Sequence, residues 1–202
     1  MPFADELRPV KVVPYDARWP EDFLEIAAEL RTLGLGLGTQ GAIDHIGSTA
    51  VPGLVAKDVI DVQVRVPALD RDGVAAAFTH AGYRRRPEPW NNVESTRTGD
   101  VAKLVFAGAT HRRLCNIHVR VDGTTGATDG LLCRDCLRSE AGLRDTWSEF
   151  KTALADSVIE GDLLAYGRVK QPAWRVLMQT ADTWAHQAGW VTPTIGEWPI
   201  YS

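Results

Sequence analysis

A chain of 202 residues, 45% hydrophobic and 24% charged, has the composition of an ordinary globular protein and not of a disordered one. Its formal net charge of −4 and pI near 5.7 exclude a global basic field, so neither nucleic acid nor an anionic membrane is an expected partner. Three cysteines argue against a disulfide framework and for the reducing cytoplasm. The opening stretch MPFADELRPV carries Asp5 and Glu6 and no apolar segment, which predicts no secretory signal. No apolar run approaches the roughly 18–20 residues needed to span a bilayer.

In chain order, Trp19, Phe23, Ile26, Leu30 and Leu33 recur at helical spacing, and Gly34, Gly36 and Gly38 end that helix. Ala42–Ile46 reads as a short strand, and the loop GSTAVPGLVAK leads into VIDVQVRV. A helix is expected over Leu69–Tyr83, strands over Val101–Phe106 and Leu114–Val121, and helices over Asp129–Arg138 and Leu143–Leu154. A helical segment follows from Gly161 to Ala188, started or kinked at Pro172. The tail VTPTIGEWPIYS, with Trp198, Ile200 and Tyr201, is expected to strap onto the body or a partner. No repeat or sharp linker divides the chain, so residues 1–202 are read as one domain with a helical C-terminal part.

The strands carry the most information. Alternate side chains of a strand point to opposite faces. Ile60, Val62, Val64 and Val66 therefore make one core stripe, and Cys115, Ile117, Val119 and Val121 make another. The opposite faces collect Asp61, Gln63, Arg65, Asn116, His118 and Arg120, joined by Lys103 from the strand between residues 101 and 106. Such a face is either the solvated side of an antiparallel sheet or the floor of an open cleft. Asn and Asp are disfavoured in merely solvated strands, which favours the cleft.

Four blocks, VPYDARWPEDFLEIAAEL, IDHIGSTAVPGLVAKDVIDVQVRV, NIHVRV and LLCRDCLRSE, resemble successive blocks of the GrpB-like (UPF0157) family, over roughly Val12 to Ala185. The resemblance implies the nucleotidyltransferase superfamily: an α/β (α+β) fold with a small mixed, mostly antiparallel sheet flanked by helices. It also implies a Gly-Ser turn followed by a strand with two carboxylates one residue apart. Carboxylates at i and i+2 share a strand face and can hold divalent metal that neutralises a triphosphate.

Gly47 and Ser48 match the turn and Asp61 the first carboxylate, but Gln63 stands where the second belongs. Asp58 lies three residues before Asp61, on the other strand face. One Mg²⁺ on Asp61, or none, thus replaces the full pair. The implied activity is nucleotidyl transfer from a nucleoside triphosphate to a small acceptor. Here Asp61 is the metal ligand, His118 binds the acceptor or acts as acid and base, and Gly47, Ser48 and Thr49 cradle phosphate. Lys57, Arg65, Lys103 and Arg120 neutralise anionic groups, Gln63 and Asn116 line the cleft, and Lys170 matches a lysine recurring in the family. The rival reading is a non-catalytic anion-binding or accessory module, since members of this family also form the C-terminal part of dephospho-CoA kinases. Amide-bond or phosphoryl transfer on a specialised metabolite would use the same cleft.

Several constellations carry competing explanations. The GSTAVPG loop is a turn stiffened by Pro52 or, with His45, Lys57 and Asp61 around it, a phosphate cradle. Arg134 and Arg138, one helical turn apart, reach either a phosphate or local acids such as Glu140. Cys115-x-x-His118 and Cys133-x-x-Cys136 have zinc-like spacing, but the first pair points to opposite strand faces and the second sits as core filler in a helix, so no zinc is expected. Ser48, His118 and Asp61 supply hydrolase residue types without a G-x-S-x-G elbow. The tryptophans are read as packing residues. Oligomeric state, acceptor and nucleotide are not legible.

Overall fold

The computed structural model of the chain describes residues 3–7, 11–33, 41–158 and 162–194. Six strands, β1 (Ala42–Ile46), β2 (Ile60–Val66), β3 (Arg84–Arg85), β4 (Val93–Thr96), β5 (Gly99–Ala107) and β6 (Cys115–Val121), form one sheet. Its order is β1-β2-β6-β5-β3, with β4 also pairing to β5. Only β2 and β6 run parallel; the other pairs are antiparallel. The helices are α1 (Trp19–Arg31), α2 (Arg71–His80), α3 (Thr125–Ser139), α4 (Ala141–Ser157) and α5 (Leu163–Ala188). This is the expected α/β fold, a mixed and mostly antiparallel sheet flanked by helices. Among the described residues no helix is long and apolar enough to cross a membrane.

The two faces of the sheet are covered differently. Ile60, Val62, Val64 and Val66 of β2, with Ile117 and Val119 of β6, bury against Trp19, Phe23 and Leu30 of α1 and Phe78 of α2. Each fully buried side chain of this kind contributes about 1.5–3 kcal/mol. Phe78 stacks on Phe106 of β5 at 4.2 Å between ring centroids. Helix α2 is shorter than the 69–83 pattern suggests, because Asp70 caps its start by accepting from the Gly73 amide at 3.1 Å.

Helix α3 lies on the polar face. Its Gly126 allows a close approach there: a Cβ at that position would fall 2.8 Å from Glu94 Oε2 and 3.2 Å from Val101 Cγ2. On its far side α3 packs on α4 and α5 through Leu132, Cys136, Leu137, Trp147, Leu177 and Met178.

Three features depart from the sequence pattern. Helix α5 starts well before Pro172, at Leu163, where the Asp162 side chain accepts from the Ala165 amide at 2.8 Å. Proline costs a helix one backbone bond, and packing of α5 on α3 and α4 outweighs it. Strands β3 and β4 are unforeseen, since two and four residues leave too little alternation to detect. The glycine run at 34, 36 and 38 and the tail residues Trp198, Ile200 and Tyr201 lie outside the described residues. Within the described part of the tail, the Pro193 carbonyl accepts from Arg65 at 3.0 Å.

Candidate functional site

Strand register arranges the polar face in three rows. Ile46, Asp61, Asn116 and Ala107 are paired across β1, β2, β6 and β5; next come Asp44, Gln63, His118 and Val105; then Ala42, Arg65, Arg120 and Lys103. The alternation seen in the sequence is therefore real, but α3 covers most of the surface it generates.

Gln63 is fully buried, donating to the Ala127 carbonyl of α3 at 3.0 Å while its Oε1 accepts from Arg120 at 2.9 Å. Arg65 is held by Asp44 at 2.8 Å and Asp122 at 2.7 Å. Arg120 binds Glu94 through two nitrogens, at 2.8 and 2.9 Å, and Lys103 lies 3.5 Å from the same carboxylate. Burial pushes the Glu94 carboxyl up, but Arg120 and Lys103 overcome it and hold the group down at about 2. The expectation that Gln63, Arg65, Lys103 and Arg120 face an anionic ligand is thus corrected. They are on the expected face, but all four are buried, Gln63 against α3 and Arg65 beside Pro193, and internal carboxylates and carbonyls occupy them.

The remaining end is open. A cavity of about 370 Å³ lies between it and the three C-terminal helices. Gly47, Ser48, Thr49, Lys57, Asp61, Asn116, His118, Arg134 and Lys170, all singled out in the sequence, line it together. Arg138 is off this wall, bonding the Ala50 carbonyl at 2.9 Å and lying 3.9 Å from Asp135 rather than pairing with Glu140. Arg134 reaches the wall while tied to Asp135 at 2.7 Å and to the His45 carbonyl at 3.1 Å.

The Gly47 turn is shaped by Asp61. Gly47 has φ of 71°, and a Cβ there would fall 2.5 Å from Asp61 Oδ2. Only glycine allows both the left-handed backbone and this close approach. Ser48–Ala50 forms one tight 3-10 turn directly afterwards. Thr49 Oγ1 lies 3.0 Å from His45 Nε2, and the His45 ring stacks on Phe23 at 4.8 Å. Burial, helped by Arg138, pushes His45 down to about 3. His45 is therefore a neutral support beneath the turn.

Asp61 accepts from Asn116 Nδ2 at 3.1 Å and lies 3.9 Å from His118 Nε2. Burial raises its pKa, but His118, Asn116 and the Lys170 charge outweigh this and bring it to about 2. The carboxylate is ionised at any ordinary pH. Burial and the Arg120 charge depress His118, so its ring is neutral near pH 7. Its Nδ1 is buried with no partner among the described residues, which leaves Nε2 as the nitrogen directed at Asp61.

The helices supply what the motifs did not. Trp147 and Lys151 of α4, and Tyr166, Lys170 and Trp174 of α5, line the cavity at four-residue steps. Lys151 is buried and donates to the Val55 carbonyl. Burial, then the charges of Lys170 and Lys57, push it down to about 7. The same burial lowers Lys57, whose ammonium sits 5.1 Å from the centre of the Tyr166 ring. Lys151 carried a usable signal: it sits on the apolar stripe Trp147, Phe150, Leu154, where a lysine needs a reason. Two of the tryptophans read as packing residues, Trp147 and Trp174, line the cavity as well as packing in the core.

A metal pair does not fit: no group of three or more His, Cys, Asp or Glu that could hold an ion occurs among the described residues. A single Mg²⁺ fits better, because it commonly takes one or two carboxylates and completes its shell with waters and substrate phosphates. Asp61 is the available carboxylate. Asp58 is turned away, accepting from Trp19 Nε1 at 2.8 Å and pairing with Arg113. Cys115 lies in the core while His118 faces the cavity, so that pair is split by the strand.

The fold and site define an α/β protein with a cationic cavity at one end of a mixed sheet, closed by a Gly-Ser turn against a strand carboxylate. The GrpB protein family matches residues 9–180, and the chain belongs to that family. Its structure is similar to the crystal structure of the conserved protein GrpB from Enterococcus faecalis, with a TM-score of 0.68 and 26% identity over 86% of this chain and 99% of that one. A UPF0157 protein of Streptomyces coelicolor is 34% identical over 69% of this chain and 67% of its own length. A protein named dephospho-CoA kinase from Mycolicibacterium paratuberculosis is 35% identical over 94% of this chain, which spans 52% of that relative's length.

Proposed function

We propose that the cavity holds the polyphosphate of a nucleoside triphosphate and that the protein passes the nucleotidyl group to a small acceptor, acting in the cytoplasm. One observation carries the reading. The Gly47–Ser48 turn packs directly on ionised Asp61, and Lys57, Lys151 and Lys170 converge on the same space. None of these lysines forms an ion pair with a carboxylate among the described residues, so their charge is available to a ligand.

In the step envisaged, the acceptor's nucleophilic atom bonds to the α-phosphorus. The bond from that phosphorus to the bridging oxygen breaks, and pyrophosphate leaves with the electron pair. The lysines neutralise the departing charge, and neutral His118 is placed to exchange the acceptor's proton. When bound, Mg²⁺ on Asp61 would add charge neutralisation at the phosphates. Asn116 holds Asp61 in place for it.

A second reading is favoured by Gln63. With that position sealed beneath α3 and bonded to Ala127 and Arg120, the second metal carboxylate is missing. A cavity that binds anions without transfer, as an accessory module, is consistent with relatives named dephospho-CoA kinase of which this chain spans about half.

Melting in ATP and in tripolyphosphate, each with Mg²⁺ and with EDTA, separates the two. A ligand at a hundredfold excess over its Kd adds about 2.7 kcal/mol to stability. The transferase reading expects stabilisation by Mg²⁺-ATP that EDTA and Asp61→Asn both abolish. Equal stabilisation in EDTA selects the accessory module, and no response to either compound removes both readings.

A further inference from the structure

A second cavity, of about 610 Å³, adjoins the first between the Pro89–Asn91 turn, the start of α5 and the segment before β2. Lys57, Val59, Asn116, Tyr166 and Lys170 belong to the walls of both. The two spaces therefore share a lysine pair and a tyrosine ring as walls.

Their chemistry differs. The first combines the turn, the carboxylate and the cations with the rings of Trp147 and Trp174. In the second, Val13, Leu114, Leu163, Leu164 and Trp90 provide a mainly apolar wall. Its acidic groups are satisfied by the protein, since Glu6 lies 3.1 Å from Arg86 and Asp58 pairs with Arg113, while Lys11, Lys57 and Lys170 add cations to the wall. Trp90 and Leu164 are nevertheless 55% and 49% exposed while lining a concavity. Among the described residues neither side chain belongs to a hydrophobic core cluster. Ligand cavities of roughly 300–1,000 Å³ are mostly apolar with a few polar groups that fix orientation, and this space fits that description.

We infer that the second cavity holds the apolar part, a planar ring or alkyl group, of the same ligand whose anionic end lies against Lys57 and Lys170 in the first. The inference rests on the anion-binding reading above and adds the substrate class: an amphiphilic molecule with a phosphate or similar anion at one end. Trp90 offers a ring face for stacking, Leu164 covers the other apolar surface, and Lys57 and Lys170 mark the junction. A nucleobase and a non-nucleotide ring present the same chemistry to this wall.

Calorimetric titration of the full chain tests it with five probes: inorganic phosphate and tripolyphosphate as anionic ends alone, 2-naphthyl phosphate and ATP as ends bearing a ring, and uncharged 2-naphthol. The expected result is 2-naphthyl phosphate binding about tenfold tighter than phosphate, which burial of roughly 60 Å² of ring surface supplies. Trp90→Ala and Leu164→Ser, both at exposed positions and both uncharged changes, should remove that gain and leave phosphate binding unchanged. Lys170→Met should weaken every anionic probe. If ATP gains over tripolyphosphate in a Trp90-dependent way, the ring is the nucleobase; if only 2-naphthyl phosphate does, it is a non-nucleotide group. Equal affinity for ring-bearing and ring-free probes, or a gain that survives both substitutions, overturns the inference. Binding of 2-naphthol with no binding of either anion would instead sink the anion-binding reading and, with it, the joining of the two cavities.

Discussion

The two ends of the polar sheet face use the same residue types to opposite purpose. At one end Arg65, Arg120 and Lys103 are buried, each matched to Asp44, Asp122 or Glu94. At the other, Lys57, Lys151 and Lys170 surround a cavity whose sheet floor offers the Asp61 carboxylate. Buried charges persist only where partners and hydrogen bonds compensate their desolvation. The sealed end meets that requirement within the protein and so contributes to specifying the fold. The open end does not meet it, and a ligand anion would.

The largest effect should come from breaking the sealed end. Arg65→Met strands Asp44 in a dry site, and a loss of about 3–5 kcal/mol is expected in denaturant unfolding. Tripolyphosphate affinity of the folded variant should be unchanged. If affinity falls with stability, the two ends are coupled and the division drawn between them is wrong.

His45 gives a smaller effect with a defined pH window. Its pKa is about 3 in the folded protein against an ordinary 6.5, so below pH 6.5 the unfolded chain takes up a proton that the folded one does not. Stability is therefore present above 6.5 and is lost as pH falls toward 3. Between pH 7 and 5 the loss should be about 2 kcal/mol. Unfolding curves of His45→Gln should lack that slope; an unchanged slope would place the titration on another group.

The smallest expected effect sharpens the open end. Lys151, at about 7, is charged below neutrality and loses its proton as pH rises. Tripolyphosphate affinity should fall a few-fold between pH 6 and 8, an effect of about 1 kcal/mol. Lys151→Met should flatten that dependence and bind more weakly at pH 6. In the ligand-free protein the same shift acts in the other direction: from 7 to the ordinary 10.5 the unfolded chain holds the extra proton, so stability rises with pH. A variant as pH-sensitive as the parent would exclude Lys151 as the titrating cation.

Much was legible because it depends on local periodicity. Strand alternation placed Asp61, Asn116 and His118 on one face and Asp58 on the other, and it split Cys115 from His118. Helical spacing located α1, α3, α4 and most of α5, and the resemblance carried by HIGSTAVPGL pointed to the Gly47 turn beside Asp61. Alternation names the face of a strand but says nothing of what lies over it. That Gln63, Arg65, Lys103 and Arg120 would be buried depends on the close approach of α3 at Gly126 and on pairs far apart in the chain, such as Arg65 with Asp122 and Arg120 with Glu94. Lys151 and Tyr166 belong to the cavity only because α4 and α5 fold back over the end of the sheet, bringing together residues about a hundred positions from Lys57 and Asp61. The sequence by itself determined the longer elements and their faces, because these follow from the backbone's own repeat, and its resemblance to a known family supplied the motif at Gly47, Ser48 and Asp61. Tertiary structure alone decided which charges are satisfied inside the protein and which are left for a ligand, because desolvation and pairing depend on neighbours that no local pattern specifies.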